Sequence, residues 1–309
     1  MKPRPAKSKN NFLLGFFIAF FGAILFSTKA ILVKLAYRDT GVDAVTLLAL
    51  RMIFSLPIFL ISAWVVSGRV ENQKFTNRQW TYVAIIGCLG YYVSSFLDFL
   101  GLQYVTAGIE RLILFIYPTL VLIISAVYFK QKIKPTQMLA IGITYIGLVI
   151  AFVGEVDSRL GQTNDFYFGS LLIFCCAITY ATYVVGSGRL IPVVGAAKFN
   201  SYAMAFASIA VLLHFFITSN VSLLNLSTGA YVYGFLMAIF ATVMPSYMVA
   251  EGIRRIGSGN TAIVGSVGPV STLVLAYFLL GESFSIEQII GTIMILIGVY
   301  IIGKFKPHD

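Results

Sequence analysis

Charged residues are scarce in this chain of 309 residues. Asp, Glu, Lys and Arg make up 11% of it, whereas a soluble domain carries about 25%. Hydrophobic residues make up 59%, and the mean hydropathy is +0.90. A soluble protein of this composition would expose large apolar patches and would aggregate. The scarcity of charge therefore excludes a soluble enzyme, a nucleic-acid-binding protein and a disordered chain.

Cysteines and recognisable catalytic motifs are also scarce. The three cysteines, Cys88, Cys175 and Cys176, lie in apolar runs without the spacing of a metal site or of a disulfide framework. The sequence contains no HExxH, no GxSxG and no glycine-rich phosphate loop followed by lysine. It therefore predicts no metal, no cofactor and no ATP hydrolysis by this chain.

Long apolar runs take the place of charge. A bilayer core requires about 20 mostly apolar residues per helix, and ten stretches meet this requirement. They are residues 12–36, 44–66, 80–102, 107–129, 136–154, 166–187, 199–218, 230–253, 258–280 and 286–303. Membrane-barrel strands are about 10 residues long and alternate strictly, which these runs do not. The sequence predicts an all-α integral membrane protein with ten transmembrane helices.

The basic residues predict the orientation of these helices. If the ten helices alternate in direction, most of the 22 Lys and Arg residues fall on one side of the membrane, together with both tails. The loops on the other side are mainly acidic. Because loops rich in Lys and Arg are retained in the cytoplasm, we expect both termini to be cytoplasmic. The expected location is the cell (inner) membrane, with multiple passes.

The two halves of the chain resemble each other. Residues 101–150 align without a gap with residues 252–301, at a constant offset of 151. The identical pairs include Gly101/Gly252, Gly108/Gly259, Pro118/Pro269 and Gly147/Gly298. Each half has five predicted spans, an odd number, so the second half enters the membrane in the opposite direction. Such inverted repeats are typical of secondary transporters; a duplication that serves packing alone is the alternative.

The repeat predicts how the chain is organised. Its expected parts are a basic cytoplasmic tail (residues 1–10), a first five-helix repeat (11–155), a second inverted repeat (166–303) and a cytoplasmic tail (304–309).

Three segments carry a resemblance to a known family. They are the segment from Ala107-Gly108 to Tyr117-Pro118, the run GSGNTAIVGSVGP, and LLGESFS with Gly281-Glu282. The chain resembles the drug/metabolite transporter superfamily, and within it the ten-helix EamA-type members. The resemblance implies a 5+5 fold around a central cavity lined mainly by spans one, three, four, six, eight and nine. It also implies transport of small metabolites, often the export of amino acids. Lys130-Gln131 departs from the Gly-Glu that is common in the family.

Five ionisable residues fall within the predicted spans of the first half: Lys29, Arg51, Asp98, Glu110 and Arg111. They lie roughly 6–12 Å to the external side of their helix centres, and ionisable groups in a bilayer mark functional sites or pairs. One hypothesis is a polar pocket in which Lys29 binds a carboxylate and Asp98 binds an amine or a proton. One alternative is a set of buried salt bridges, such as Lys29–Asp98 and Arg51–Glu110. For Glu110 and Arg111, which lie near the external end of their span, another alternative is that the side chains reach the membrane interface.

The second half offers aromatic residues in place of charge. Its predicted spans contain no Lys, Arg or Asp. Glu251 is expected to pair with Arg254 and Arg255 at a helix end, and His214 is expected to pack. Tyr180 can face a cavity and hydrogen-bond a solute.

Two prolines stand at matching mid-span positions in the two halves. Pro118 and Pro269 each remove a backbone hydrogen bond, and Gly268 weakens the ninth span further. Gly/Pro interruptions at corresponding places indicate a midplane binding site or a gate; a simple kink in a packed helix is the alternative.

These patterns predict a secondary transporter that exports a small metabolite, either an amino acid or related zwitterion or an organic anion, by alternating access. The predicted substrate-binding residues are Lys29, Tyr92, Asp98, Tyr117 and Tyr180, and the predicted gating residues are Pro118, Gly268 and Pro269. The expected partners are the small-molecule substrate and the lipid bilayer. Proton coupling is left open, with Asp98 as the candidate carrier. The alternatives are a membrane-embedded lipid-modifying transferase and a uniporter or channel for small solutes.

Overall fold

The structure is a computed structural model, and it describes residues 9–67, 74–114, 116–129, 133, 135–157, 164–265, 267–281 and 286–304. Within these ranges the regular structure is entirely helical. The helices are α1 (Lys9–Thr40), α2 (Ala44–Ser67), α3 (Asn77–Gly101), α4 (Ala107–Leu114), α5 (Tyr117–Phe129), α6 (Pro135–Asp157), α7 (Asn164–Val194), α8 (Ala196–Thr218), α9 (Thr228–Ile256), α10 (Ser258–Val264), α11 (Val267–Leu280) and α12 (Ile286–Lys304).

Membrane-length helices dominate this fold. Among the described residues, seven helical stretches are long and apolar enough to cross a bilayer, in α1, α2, α3, α7, α8, α9 and the α10–α11 pair. Shorter apolar helices occur at Tyr117–Tyr128 and Ile289–Gly298. The predicted all-α class is confirmed. The outer parts of the two predicted tails, Lys130-Gln131 and Glu282 lie outside the described residues.

Local sequence signals define several helix ends. At the start of α3, the Thr76 side chain accepts from the Gln79 backbone N–H and the Gln79 side chain accepts from the Thr76 N–H, which forms a capping box. Single glycines with positive φ, Gly195 (φ 88°) and Gly257 (φ 85°), join α7 to α8 and α9 to α10. Because glycine lacks a Cβ, it adopts this backbone conformation without steric cost.

The helix packing is symmetric between the two halves. Helix α1 packs against α9 and α11, while α7, its counterpart in the second half, packs against α3 and α5. Helix α2 packs against its own counterpart α8, and α6 packs against its counterpart α12. Exchanging the halves therefore converts each of these contacts into another contact of the same fold.

Glycines that are identical between the halves lie at these helix contacts. A Cβ on Gly147 of α6 would come within 2.6 Å of a backbone oxygen of α12, and one on Gly298 of α12 would come within 2.8 Å of a backbone oxygen of α6. A Cβ on Gly101 would lie 2.5 Å from the Ile173 Cδ1 of α7, and one on Gly252 would lie 2.9 Å from the Ala19 Cβ of α1. Small residues allow helix backbones in a membrane to approach closely, so these identities have a direct packing cause.

Each half contains one interrupted span. Helix α4 ends at Leu114 and α5 begins at Tyr117, while α10 ends at Val264 and α11 begins at Val267. These two interruptions correspond at the offset of 151, to within one residue on each side of the break. Pro118 and Pro269 stand in the first turn of α5 and α11, where the missing N–H removes no hydrogen bond within the helix.

Each half also contains one widened helical turn. Residues Cys88–Val93 of α3 and Ile239–Val243 of α9 form π-helical turns. The Ser94 N–H bonds to the Leu89 carbonyl, and the Met244 N–H bonds to the Ile239 carbonyl. The two turns begin at matching positions at the same offset of 151. Single π turns inside α-helices occur frequently at functional sites.

Candidate functional site

Four charged side chains from three helices of the first half meet in the interior. The Lys29 Nζ of α1 lies 2.7 Å from the Asp98 Oδ2 of α3 and 3.9 Å from the Glu110 Oε1 of α4. The Arg111 Nε lies 3.1 Å from the Glu110 Oε2. Arg111 also donates from Nη2 to the Phe26 carbonyl at 3.0 Å. These four residues form the charge cluster.

Burial distinguishes this cluster from pairs at a membrane interface. Asp98 and Glu110 are 0% exposed, Lys29 is 4% exposed and Arg111 is 7% exposed. The sequence left open that Glu110 and Arg111 reach the interface, but in the structure both side chains point inward and join the Lys29–Asp98 ion pair. Removing one partner of such a buried pair leaves an uncompensated charge and is strongly destabilising.

Arg51 of α2 adds a third cation beside the charge cluster. It does not pair with Glu110, which instead contacts Lys29 and Arg111. Its guanidinium carbon lies 4.8 Å from the ring centroid of Phe99, next in sequence to Asp98, and the side chain is 1% exposed. Its Nε and Nη2 have no hydrogen-bond partner among the described residues. Arg51 is thus a buried cation with incomplete hydrogen bonding.

A central cavity of about 60 Å³ adjoins the charge cluster. It has room for a few water molecules or a small ligand group. The described residues around it come from α1, α3, α4, α5, α7, α9, α10, the start of α11 and the turn that precedes it: Ala19, Ala23, Phe26, Lys29, Gly90, Ser94, Ser95, Arg111, Leu114, Tyr117, Cys176, Tyr180, Val184, Val249, Thr261, Ala262, Gly265, Gly268 and Pro269. These positions correspond to the spans that the family resemblance implies.

Lys29 and Arg111 face this cavity, whereas the two carboxylates do not. Asp98 and Glu110 are absent from its described lining and lie behind the cations that they contact. The wall therefore presents two positive groups, and the remaining polar lining is neutral hydroxyl or thiol.

Aromatic rings form another part of the wall. Tyr180 lies 5.3 Å from Tyr117 and 6.0 Å from Phe26 between ring centroids. The Tyr117 hydroxyl donates to the Ala262 carbonyl at 3.0 Å, which joins the two interrupted spans. A Cβ on Gly265 would lie 2.0 Å from this hydroxyl, so the contact requires glycine at that position.

Carbonyls near the two interruptions receive side-chain hydrogen bonds. The Tyr145 hydroxyl donates to the Ile116 carbonyl at 3.3 Å, and the Ser27 hydroxyl donates to the Gly268 carbonyl at 3.0 Å. Backbone groups at membrane depth require such partners. Side-chain hydrogen bonds therefore stabilise the backbone at both helix breaks.

The residues predicted from the sequence are distributed around this site in different ways. Lys29, Tyr117, Tyr180, Gly268 and Pro269 line the cavity. Asp98 lies behind Lys29, and Pro118 lies in the first turn of α5.

Tyr92 lies outside the described lining of the cavity. Its ring centroid is 5.7 Å from that of His214, which also packs 4.8 Å from Phe96. Tyr92 thus packs beside the cavity's described lining, and its predicted substrate contact stays a prediction. His214 packs as expected, and Glu251 contacts both Arg254 and Arg255.

Arg111 and Glu110 are the site residues that sequence reasoning undervalued. The signal was their position two and three residues after Gly108, in a segment repeated in the second half, but their place near the end of the predicted span favoured an interfacial role. Gly90, Ser94 and Ser95 carried no signal, because neither the π turn nor its matching position was visible in the sequence. Among the described residues, no group of three His, Cys, Asp or Glu side chains could hold a metal ion.

A larger space, the inner vestibule, adjoins the cavity along the same helices. Its volume is about 680 Å³. Its lining includes Gly188 of α7, Ile253 of α9 and Asn260 of α10. Gly188 and Ile253 follow the cavity residues Val184 and Val249 by about one helical turn, and Asn260 directly precedes the cavity residue Thr261. The vestibule also contains Arg189 and lies at the end of the fold where the sequence places the basic loops.

Hydrogen bonds join the helices at the opposite end of the fold, the outer end. The Tyr37 hydroxyl of α1 donates to the Phe99 carbonyl of α3 at 2.8 Å. The Tyr233 hydroxyl of α9 donates to the Asp39 carboxylate of α1. Apolar residues of α1, α2, α3 and α9 form a continuous buried cluster on the same side.

Comparison with known proteins gives consistent results. The model of the EamA-like transporter family matches the chain twice, over residues 13–153 and 167–304. The uncharacterized transporter YcbK of Bacillus subtilis is 30% identical over 87% of this chain and 86% of its own length. An uncharacterized transporter of Clostridium kluyveri is 24% identical, over 92% and 91%. A crystal structure covers 96% of both chains with a TM-score of 0.70 at 17% identity, which shows a shared fold.

The resemblance found in the sequence is thereby confirmed. Both halves of the chain match the family, the matched relatives are named as transporters, and the helices have membrane length. The chain is a multi-pass membrane protein and belongs to the EamA-like transporter family of the drug/metabolite transporter superfamily.

Proposed function

We propose that this chain is a secondary transporter that exports a small metabolite bearing a carboxylate, either an amino acid or an organic anion, by alternating access. The observation that carries the proposal is the central cavity. Both halves line it, two interrupted spans meet beside it, and Lys29 and Arg111 supply cations at its wall. Interrupted helices at corresponding positions of two repeats are the usual setting of a transporter binding site.

The proposal includes a topology of ten membrane crossings in two inverted five-helix repeats, with both termini in the cytoplasm. The proposed location is the cell (inner) membrane. Three observations support this topology. The family model matches once in each half, the packing partners exchange when the halves are exchanged, and the basic residues segregate to alternate loops. The inner vestibule then opens to the cytoplasm.

An inward-facing vestibule suits loading from the cytoplasm. Export would require the two repeats to rock against each other, which would close the vestibule and separate the helices at the outer end. The Tyr37–Phe99 and Tyr233–Asp39 hydrogen bonds would break in the outward-open state. The Tyr117–Ala262 contact would be rearranged as the two interrupted spans move.

Two other functions fit the site less well. A lipid-modifying transferase requires a catalytic cluster near one interface, whereas the charge cluster is buried in the interior and its carboxylates pair with cations. A channel requires a continuous path, whereas the outer end is joined by hydrogen bonds and a buried apolar cluster.

The proposal is tested with purified protein in liposomes loaded with a defined mixture of amino acids and small organic acids. We expect protein-dependent, saturable efflux of at least one carboxylate compound. Arg111→Gln should reduce this efflux by roughly tenfold or more, since a charge-assisted contact is lost. Arg38→Gln, at an exposed ion pair with Asp39, is the matched control and should retain it. Flux that rises linearly with concentration would indicate a channel, and altered lipid would indicate a transferase.

Proton coupling is tested in the same liposomes. Asp98 is the proposed carrier, and Glu110 shares its cation Lys29. If the carrier role is correct, an imposed proton gradient changes the initial efflux rate of the parent and leaves that of Asp98→Asn unchanged. Equal rates with and without the gradient in the parent would remove this role.

A further inference from the structure

The placement of charge around the cavity is asymmetric. The two cations of the charge cluster face the cavity, and the two carboxylates lie behind them, buried and absent from the described lining. A bound carboxylate can therefore contact both Lys29 and Arg111. A bound ammonium group would meet these same cations and would find no carboxylate in the described wall.

The charge cluster and Arg51 together do not balance in formal charge. Lys29, Arg51 and Arg111 are three cationic residues, while Asp98 and Glu110 are two acidic ones. All five side chains are less than one-tenth exposed, so solvent screens the excess weakly. A buried charge without a counter-charge is costly. One additional negative charge, delivered by a ligand, would neutralise the group.

Apart from these cations and a few neutral hydroxyl and thiol groups, the described wall is apolar or aromatic. Leu114, Val184 and Val249 line the cavity together with the rings of Phe26 and Tyr180. Such a surface favours a hydrocarbon or aromatic body over a second polar group.

Building on the proposed transport function, we propose that the cavity selects a monovalent organic anion with an apolar body, and that it discriminates against zwitterions and amines. Lys29 and Arg111 bind the carboxylate, and Arg51, through its charge beside Asp98, sets the number of negative charges that the site accepts.

The first test is thermal unfolding of the purified full-length protein with matched ligand triplets. One triplet is butanoate, 2-aminobutanoate and propylamine; the other is 3-phenylpropanoate, phenylalanine and 2-phenylethylamine. Within each triplet the body is similar, and only the charged groups differ. A ligand that binds the folded state alone raises the melting temperature. We expect the monocarboxylate of at least one triplet to raise it by a few degrees and its two partners to have no effect.

The second test changes the charge of the cluster. Asp98→Asn raises its net charge by one, and so does Glu110→Gln, which serves as a second variant if the first does not fold. We expect either variant to shift the preference from butanoate to butanedioate by roughly tenfold. Arg111→Gln should abolish stabilisation by the monoanion. Arg38→Gln, outside the cluster, should leave the preference unchanged.

The outcomes separate this inference from the proposed function. Stabilisation by an amino acid or amine equal to that by the matched acid would overturn the monoanion inference and leave transport standing. A lack of stabilisation by every monocarboxylate would also overturn it. Stabilisation by monocarboxylates, without flux of the same compounds across liposomes, would support the binding class and contradict the transport function.

Discussion

At the scale of single residues, the site is built in two layers of opposite charge. The carboxylates of Asp98 and Glu110 hold Lys29 and Arg111 in place, and the cations form the cavity wall. The carboxylates offset part of the desolvation cost of the cations. They leave donors free, because a guanidinium has five N–H groups and an ammonium has three. The arrangement positions cations without neutralising all of them.

Arg51 is where stability and binding are expected to conflict. Its Nε and Nη2 lack hydrogen-bond partners among the described residues, and a buried unsatisfied group costs about 1–3 kcal/mol. We therefore expect Arg51→Met to raise the melting temperature of the ligand-free protein. The same change removes one positive charge beside Asp98 and should weaken monoanion binding. Thermal unfolding with and without butanoate measures both effects.

Lys29→Met is the comparison for Arg51→Met. It also removes one buried cation, but Lys29 pairs with Asp98 at 2.7 Å, so the variant should be less stable than the parent by roughly 3–5 kcal/mol. If Arg51→Met destabilised the protein as much as Lys29→Met, Arg51 would have to be a fully paired structural residue.

The sequence predicted the members of the charge cluster and not their arrangement. The scarcity of ionisable residues in the apolar spans made Lys29, Asp98 and Glu110 visible. Which cation faces a cavity depends on helix rotation and on contacts between distant segments. Neither of these can be predicted from a single sequence. Tyr92 is an example, since its ring packs near His214 and outside the described lining of the cavity.

At the scale of helices, close backbone contacts hold the two halves together. The α6–α12 contact joins corresponding helices of the two halves, and glycine stands at the matching positions on both sides. In a membrane, such packing replaces the hydrophobic effect as the force between helices.

Gly147→Ala tests this contact. Its new Cβ would lie 2.6 Å from the Gly291 carbonyl oxygen, so α6 and α12 must separate. Overpacking of this kind costs about 1–3 kcal/mol, and we expect a lower melting temperature in detergent. Gly142→Ala, on the same helix with nothing within 4 Å of its Cβ, is the matched control. It should be neutral or stabilising by about 0.5–1 kcal/mol, because alanine favours helix. Equal effects at the two positions would contradict the contact.

The interruptions of two spans were readable from the sequence, whereas the widened turns were not. Pro118 and Pro269 have a fixed backbone chemistry, and their matching positions predicted the breaks. The π turns contain CLGYYV in one half and IFATV in the other, with no identity at aligned positions. Their shared position follows from tertiary packing, and the local helix propensity of these residues does not predict it.

At the scale of the whole molecule, a symmetric scaffold carries an asymmetric site. The helix contacts exchange between the halves, but the charge cluster and Arg51 belong entirely to the first half. The second half contributes rings and small residues to the cavity wall. The two halves thus share a helix arrangement, while the buried charges near the cavity come from the first half alone.

The inverted topology predicts which chain segments face each side of the membrane. In a parent with Cys88, Cys175 and Cys176 replaced by alanine, Asn220→Cys should react with a membrane-impermeant maleimide added to intact cells. Arg78→Cys should react only after the cells are opened. Both positions are exposed in the structure, so access depends on the side. The reverse pattern would place the termini outside, and labelling of both from outside would contradict the ten-span topology.

Because of the π turn in α3, the geometry of the site depends on the number of residues in this helix. Each added residue advances a helix by about 100° and 1.5 Å, and the extra residue in Cys88–Val93 sets the rotation of everything that follows. Without it, Ser94, Ser95 and Asp98 would face a different neighbour, and Asp98 would no longer meet Lys29. An insertion or deletion of one residue between the Thr76 cap and Asp98 would therefore change the site as surely as losing the carboxylate.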